Sequence, residues 1–208
     1  MQRILWGRST SSNVMKALWA LEELGLASER RDVGGKYGQT ETPAYRAMNP
    51  TGLVPTLQED DFILWESNVV CRYLCHAHAP HSPLWPQDPR QRARIDKWMD
   101  AQQTVLNRPM SVVFWGLVRT PPDRRDAAAL AQGIADTAKA YGLIGAELTR
   151  HAYIAGDALT LADIPWGVHV HRWFTMEFDR PEVPGLRAWY DRLLARPAYR
   201  THVARPLE

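Results

Sequence analysis

Four prolines, Pro80, Pro83, Pro86 and Pro89, fall within the short stretch from Ala79 to Pro89. No helix runs through such a stretch, because each proline lacks a backbone N–H and its ring collides with the carbonyl one turn back. The stretch therefore reads as a linker. It divides the 208 residues into a first domain over 1–79, a linker over 80–89 and a second domain over 90–208. At 45% hydrophobic residues the chain has enough apolar surface to bury a core without disulfide staples.

The two halves carry different periodicities. In the first, Arg3-Ile4-Leu5-Trp6 predicts a short strand, and the polar run Ser9 to Asn13 supplies a helix start. Val14, Leu18, Leu21 and Leu24 then recur at helical spacing until Gly25 ends the run. A second strand is expected over Ser28 to Val33, followed by the glycine-rich loop Gly34 to Gln39 and a short helix from Pro43 to Met48. Asn49-Pro50-Thr51-Gly52 reads as a turn. Val54-Pro55-Thr56-Leu57 and Phe62-Ile63-Leu64-Trp65, separated by Glu59-Asp60-Asp61, read as a hairpin with Pro55 inside its first strand, and a helix from Glu66 to His78 completes a βαβαββα unit. Beyond the linker the pattern is helical: Arg90 to Arg119, Asp123 to Arg150, Thr160 to Thr175 and Leu186 to Ala195. The expected fold is an α/β domain followed by an all-helical one.

Charge and cysteine content exclude several functions. With 25 Lys+Arg against 23 Asp+Glu the net charge is +2, and no run of basic residues exceeds a pair, so a nucleic-acid footprint is not expected. Cys71 and Cys75, four apart on one helix, suggest neither a disulfide framework nor a metal site. His169 and His171 do not share a helix face, so they do not read as a metal pair. No apolar run reaches the roughly 18 residues of a membrane span. A soluble chain in a reducing cytoplasm, with no metal, is the expectation.

Three places in the first half suit an anionic, peptide-like ligand. Ser9-Thr10-Ser11-Ser12-Asn13 puts hydroxyls at a helix N-terminus, where free N–H groups and the helix dipole favour negative charge. Capping is the simplest use of these residues, yet one cap needs one side chain. Val54-Pro55 is a second place, since a proline at such a position often has a cis bond that leaves the preceding N–H and C=O available to an extended ligand. Ser67, with Glu66 before it at the next helix start, is suited to hold a carboxylate or to cap.

These motifs, in this order, resemble the glutathione transferase family over essentially the whole chain. The resemblance rests on Ser11-Ser12-Asn13, on Asn49 to Leu57, on Trp65-Glu66-Ser67-Asn68 with Arg72-Tyr73-Leu74, and on Ile154-Ala155-Gly156-Asp157 through Leu159 to Ile164. It implies a thioredoxin-like first domain and a helical second domain that contributes the pocket for an electrophile. It further implies that Val54, before a cis Pro55, pairs with the cysteinyl unit of glutathione, that Glu66 and Ser67 hold the γ-glutamyl end, and that Lys36 and Gln39 meet the glycyl carboxylate. Lacking Tyr or Cys in its first turn, the chain is similar to the serine/threonine type, with theta-, delta- or nu-like bacterial members. Ser11 then donates to the glutathione sulfur and Asn13 assists, with Thr10 and Ser12 as alternatives. Thr160 and Asp163, at capping-box spacing, are structural in this reading.

The resemblance also implies a small hydrophobic electrophile as second substrate, met by Trp115 and Arg119. A homodimer follows from the same source, with Asp100 or Gln102 reaching glutathione across it. The expected activity is transfer of glutathione to such an electrophile. A glutathione-dependent peroxidase or disulfide reductase is the alternative, as is a non-catalytic binding module of the same fold.

Overall fold

A computed structural model describes residues 2–207. The chain forms two compact units, Met1–Trp85 and Pro86–Glu208.

The first unit is a thioredoxin-like α/β layer structure. Its elements are β1 (Arg3–Trp6), α1 (Ser12–Glu23), β2 (Glu29–Arg31), α2 (Pro43–Met48), β3 (Thr56–Glu59), β4 (Phe62–Trp65) and α3 (Ser67–His78). The sheet order is β2-β1-β3-β4. β1 runs parallel to β2 and antiparallel to β3, and β3 and β4 make the hairpin. Leu5 and Leu57 lie opposite one another and share an apolar cluster with Val14, Ala17, Leu18 and Leu21 of α1 and Val70 and Leu74 of α3. The helical spacing of those residues explains why both helices turn one face to the sheet. Burying each of the Val and Leu side chains contributes about 1.5–3 kcal/mol.

Two details of the hairpin differ from the sequence expectation. Pro55 precedes β3 instead of lying in it, so no ladder donor is lost within the strand. The acidic turn is confined to Asp60 and Asp61, while Glu59 ends β3 and is buried. Its carboxylate accepts from Arg3 Nε at 2.5 Å and from the Tyr73 hydroxyl at 2.7 Å, with His78 Nε2 at 2.9 Å. Burial alone would raise this carboxyl, but its bonds to Tyr73, His78 and Arg3 outweigh burial and hold it below the ordinary carboxylate value.

The second unit is all-helical. α4 (Pro89–Ala101) begins on Asp88, whose carboxylate caps the Gln91 N–H at 2.8 Å. A π-helical stretch, Gln102–Leu106, leads into α5 (Asn107–Phe114), and a second one, Trp115–Arg119, follows. Pro109 has no N–H to offer the Val105 carbonyl, and the helix widens just ahead of it. The unit continues through α6 (Ala127–Leu148), α7 (Asp163–Thr175), α8 (Leu186–Leu194) and α9 (Pro197–His202). The last of these has no counterpart in the sequence expectation, and α6 and α7 begin a few residues later than expected. Trp166, Trp173 and Trp189 are fully buried, and the indole N–H of Trp166 donates to the Trp98 carbonyl at 2.8 Å.

Asp163 organises the entry to α7. Its carboxylate accepts the N–H groups of Ile154 (3.0 Å) and Thr160 (2.9 Å), the Thr160 hydroxyl (3.3 Å) and the Trp189 indole N–H (3.0 Å). The Thr160 hydroxyl in turn accepts the Ala162 N–H at 3.3 Å. Burial pushes the Asp163 carboxyl up to about 6 against those donors.

Candidate functional site

The turn from β1 into α1 is fixed by backbone bonds. Gly7 N–H donates to Arg31 O at 2.8 Å, Arg8 N–H to Val33 O at 3.1 Å and Ser11 N–H to Arg8 O at 3.2 Å. Gly7 has φ 150, and a β-carbon there would come within 2.4 Å of a Val14 methyl and 3.2 Å of Val54. Only glycine lets the end of β1 pass so close to both.

Ser11 is the buried residue before α1, with extended backbone, and its side chain forms no capping bond. The role expected first for this hydroxyl is therefore not the one it has. α2 of the same unit is capped in the ordinary way, by Thr42 Oγ1 accepting the Tyr45 N–H at 3.3 Å. At α1 the first bond of the helix runs from Met15 N–H to Ser11 O at 2.9 Å, and the N–H groups of the first turn receive nothing from Ser11. Thr10 and Ser12 are half-buried beside it.

The start of α3 has the same property. Glu66 precedes the helix at φ 73 and ψ 107 and gives it no side-chain cap. Such a φ is uncommon for a residue with a β-carbon. Ser67 is buried, and its hydroxyl donates to Asn13 Oδ1 at 3.4 Å. The N-terminal turns of α1 and α3 are thus adjacent, and neither is closed by its own preceding side chain.

Val54 stands beside them. Its bond to Pro55 is cis, and the backbone just before it is held by a polar net absent from the sequence expectation. The Leu53 carbonyl accepts from the Tyr45 hydroxyl at 2.7 Å and from Asn49 Nδ2 at 2.9 Å. Asn49 Nδ2 also donates to Thr56 Oγ1 at 3.0 Å, while Asn49 Oδ1 accepts the Thr51 hydroxyl at 2.6 Å. Asn49 had been legible only as a turn residue, although a buried asparagine heading a Pro-Thr-Gly turn has both a donor and an acceptor with which to fix such a loop.

The loop after β2 completes the surroundings. Gly34, Gly35 and Gly38 have positive φ, and so does Gln39 at φ 71. Lys36 and Gln39 are exposed, and the Lys36 ammonium lies 5.5 Å from the Tyr37 ring centre. A side chain at Gly35 would meet Arg8 Cδ and Nε at 3.0 Å, so the Arg8 stem and guanidinium rest on this loop. Arg8 was not among the candidate residues, and its position directly after the glycine that follows β1 is the signal that points to it.

In the helical unit, Trp115 is 63% exposed, and Arg119, also exposed, places its guanidinium 5.8 Å from the Phe114 ring centre. Asp100 is exposed and Gln102 fully buried. Burial pushes the thiols of Cys71 and Cys75 up to about 12, which makes them packing residues and not nucleophiles. His171 is bonded to the Tyr190 hydroxyl (2.9 Å) and the Arg205 carbonyl (2.7 Å). Among the described residues no group of three or more His, Cys, Asp or Glu side chains is placed to hold a metal ion.

Two adjacent helix N-termini, a hydroxyl at each, and a constrained backbone edge lie in this unit, and unclosed helix N-termini are chemically suited to an anionic group. Comparison with known proteins places the chain in a family. The chain matches the family model for the glutathione S-transferase N-terminal domain over residues 10–77 and that for the C-terminal domain over residues 106–197. It is 40% identical over 206 residues to glutathione S-transferase GstB of Escherichia coli strain K12, spanning 98% of each protein. Among solved structures it matches the theta class glutathione S-transferase of Xanthomonas axonopodis pv. citri with glutathione bound, at TM-score 0.94 and 44% identity over 99% of each chain. The apo form of that protein matches at TM-score 0.87 and 39% identity over the whole of both chains.

Proposed function

The chain belongs to the glutathione transferase family, and on that premise we propose that its first unit binds glutathione and ionises the thiol through Ser11 and the N-terminus of α1. The observation that carries this reading is the Ser67–Asn13 bond, which brings two uncapped helix starts together. In this reading the Val54 backbone pairs with the cysteinyl unit. Ser67 and the N–H groups at the start of α3 hold the γ-glutamyl carboxylate, and Glu66 its ammonium. Lys36 and Gln39, on the loop of positive φ, meet the glycyl end.

Thiolate formation follows from local charge. A free thiol with a pKa near 8.5 is only about 3% ionised at pH 7. A hydrogen bond to the anion contributes roughly 1.5–3 kcal/mol, and the helix N-terminus roughly 0.3–1 kcal/mol. At about 1.4 kcal/mol per pKa unit, the two lower the thiol pKa by one to two units or more. The thiol proton passes to water, while Ser11 keeps its own proton, hydrogen-bonds the sulfur and need not act as a base. The thiolate then attacks a small hydrophobic electrophile, forming a carbon–sulfur bond as the leaving group departs with its electron pair. Trp115 and Arg119 of the helical unit meet that second substrate, and Asn13 supports Ser11.

The working form in this reading is a homodimer in the cytoplasm, with glutathione as co-substrate and no metal. Retention on immobilised glutathione with elution by the free peptide, followed by conjugation of chlorodinitrobenzene, tests the proposal. Retention together with conjugation is the expected result. A chain that neither binds the matrix nor conjugates would overturn it, and hydroperoxide or disulfide turnover without conjugation would give the site to a reductase.

A further inference from the structure

Arg8 stands among the β1–α1 turn, the Val54 edge and the glycine-rich loop of the peptide site proposed above, yet has no role in it so far. Its N–H donates to the carbonyl of Val33, the residue before that loop, at 3.1 Å, and its own carbonyl accepts the Ser11 N–H at 3.2 Å. The Arg8 side chain is half-buried and lies along the loop. A side chain at Gly35 would meet Arg8 Cδ and Nε at 3.0 Å and Cζ at 3.3 Å. One at Gly34 would meet Arg8 Nη1 at 3.3 Å, Val54 Cγ1 at 3.4 Å and Thr40 Cγ2 at 3.5 Å. The stem thus covers Gly35, and the guanidinium reaches Gly34 beside Val54.

The loop has freedom for such a brace to remove. Gly34 and Gly35 have φ 80 and φ 57, a conformation that suits glycine, the residue with the most backbone freedom to lose. Inside the loop, Gly34 N–H donates to Gly38 O at 2.7 Å, Tyr37 N–H to Gly34 O at 3.3 Å and Gly38 N–H to Gly35 O at 3.1 Å. These bonds close the loop on itself and fix its shape, whereas the Arg8 side chain ties it to the turn before α1. A long arginine stem orders a surface by packing as well as by charge, and its planar head loses less freedom per contact than a lysine ammonium does.

We infer that Arg8 is a positioning residue: it holds the 34–39 loop against the β1–α1 turn, so that Lys36 and Gln39 stand at a set place relative to Val54. In doing so it sets how strongly the site prefers glutathione to γ-glutamylcysteine, the same peptide without its glycine. The inference rests on the transferase reading and deepens it, because recognition of the third residue then depends on a side chain that need not touch it.

Two readouts test it, one with peptide and one without. Calorimetric titration of the full chain is expected to show tighter binding of glutathione than of γ-glutamylcysteine. Arg8→Ala is expected to weaken glutathione by roughly two- to fivefold, the worth of an exposed ion pair, and to leave γ-glutamylcysteine where it was. Arg8→Lys, which keeps a stem over Gly35, is expected to restore part of the preference. Gly35→Ala, which sets a methyl against the Arg8 stem, is expected to reproduce the loss and keeps the test open if Arg8→Ala does not fold. In the absence of peptide, the Gly34, Tyr37 and Gly38 amides are expected to exchange hydrogen severalfold faster in Arg8→Ala while those of β1 are unchanged. Equal binding of both peptides by the unaltered chain, a preference that both alanine variants leave in place, or unmoved exchange in the loop would overturn the inference. So would equal weakening of both peptides, which would make Arg8 a general support of the fold. Faster loop exchange in Arg8→Ala when the unaltered chain binds neither peptide would uphold the brace and sink the glutathione reading alone.

Discussion

Ser11 and Asp163 show how far a single side chain's surroundings decide its use. Both are small polar residues at a helix entry, yet Asp163 is saturated by donors and Ser11 forms no capping bond. Ser11→Ala is therefore expected to leave α1 folded and to raise the pKa of bound glutathione by about one unit or more, read by titrating thiolate absorbance. An unchanged pKa would move the role to Thr10 or Ser12. Asp163→Asn is expected to destabilise the chain by about 1–3 kcal/mol, because an amide nitrogen replaces one of two accepting oxygens and leaves a buried N–H without a partner; denaturant unfolding measures it. Its pH signature has a definite sign. A carboxyl raised from 3.8 to about 6 in the fold contributes stability that is fully present below about 3.8 and is lost as pH rises through about 6. That decline is expected to be missing from the asparagine variant.

At the level of elements, much of the first unit was legible because each element follows from strict local rules. The α2 boundaries follow from Pro43 at the first turn and the Thr42 cap, and the extent of α1 from an apolar face ended by Gly25. What sequence reasoning missed is non-local. Nothing in the order of residues says that Glu59 leaves the acidic turn to receive Arg3, Tyr73 and His78, or that Asn49 reaches back to hold Leu53. The six residues of α9 are too few to display a period, and a π-helical stretch has the same composition as an α-helix. The Glu59 cluster ties β1, β3 and the end of α3 together, and Glu59→Gln is expected to cost about 3–5 kcal/mol by leaving Arg3 buried without its counter-charge. Because the Glu59 carboxyl is held below 4.5, its contribution is present above that value and is lost as pH falls through the lowered one. The acid limb of the stability curve is expected to be shallower in the variant. Asn49→Ala frees the backbone before Val54, so a severalfold rise in KM for glutathione with a smaller change in kcat is expected from steady-state kinetics.

For the whole molecule, the chain divides between Trp85 and Pro86, and the proposed reading gives peptide recognition to the first unit and the electrophile to the second. The family and fold were readable because short motifs recur in order over both units, whereas the contact of Arg8 with Gly35 was not, since the two lie far apart in sequence. A ligand held by the first unit stabilises that unit by mass action. Glutathione at about a hundred times its Kd adds about 2.7 kcal/mol, and at about 2–4 °C per kcal/mol for a chain of this length unfolding as one calorimetry is expected to show the chain's transition rising by roughly 5–10 °C. A transition unmoved by saturating glutathione would remove the ligand from this unit. The two cysteines bear on such work in another way. Cys71 and Cys75 are the chain's only thiols, both sealed in the core and protonated at any working pH. The enzyme is thus a silent background for sulfur chemistry: alkylating probes, disulfide exchange and ultraviolet thiolate signals report on the ligand while the fold is intact, and on the protein only once the first unit opens.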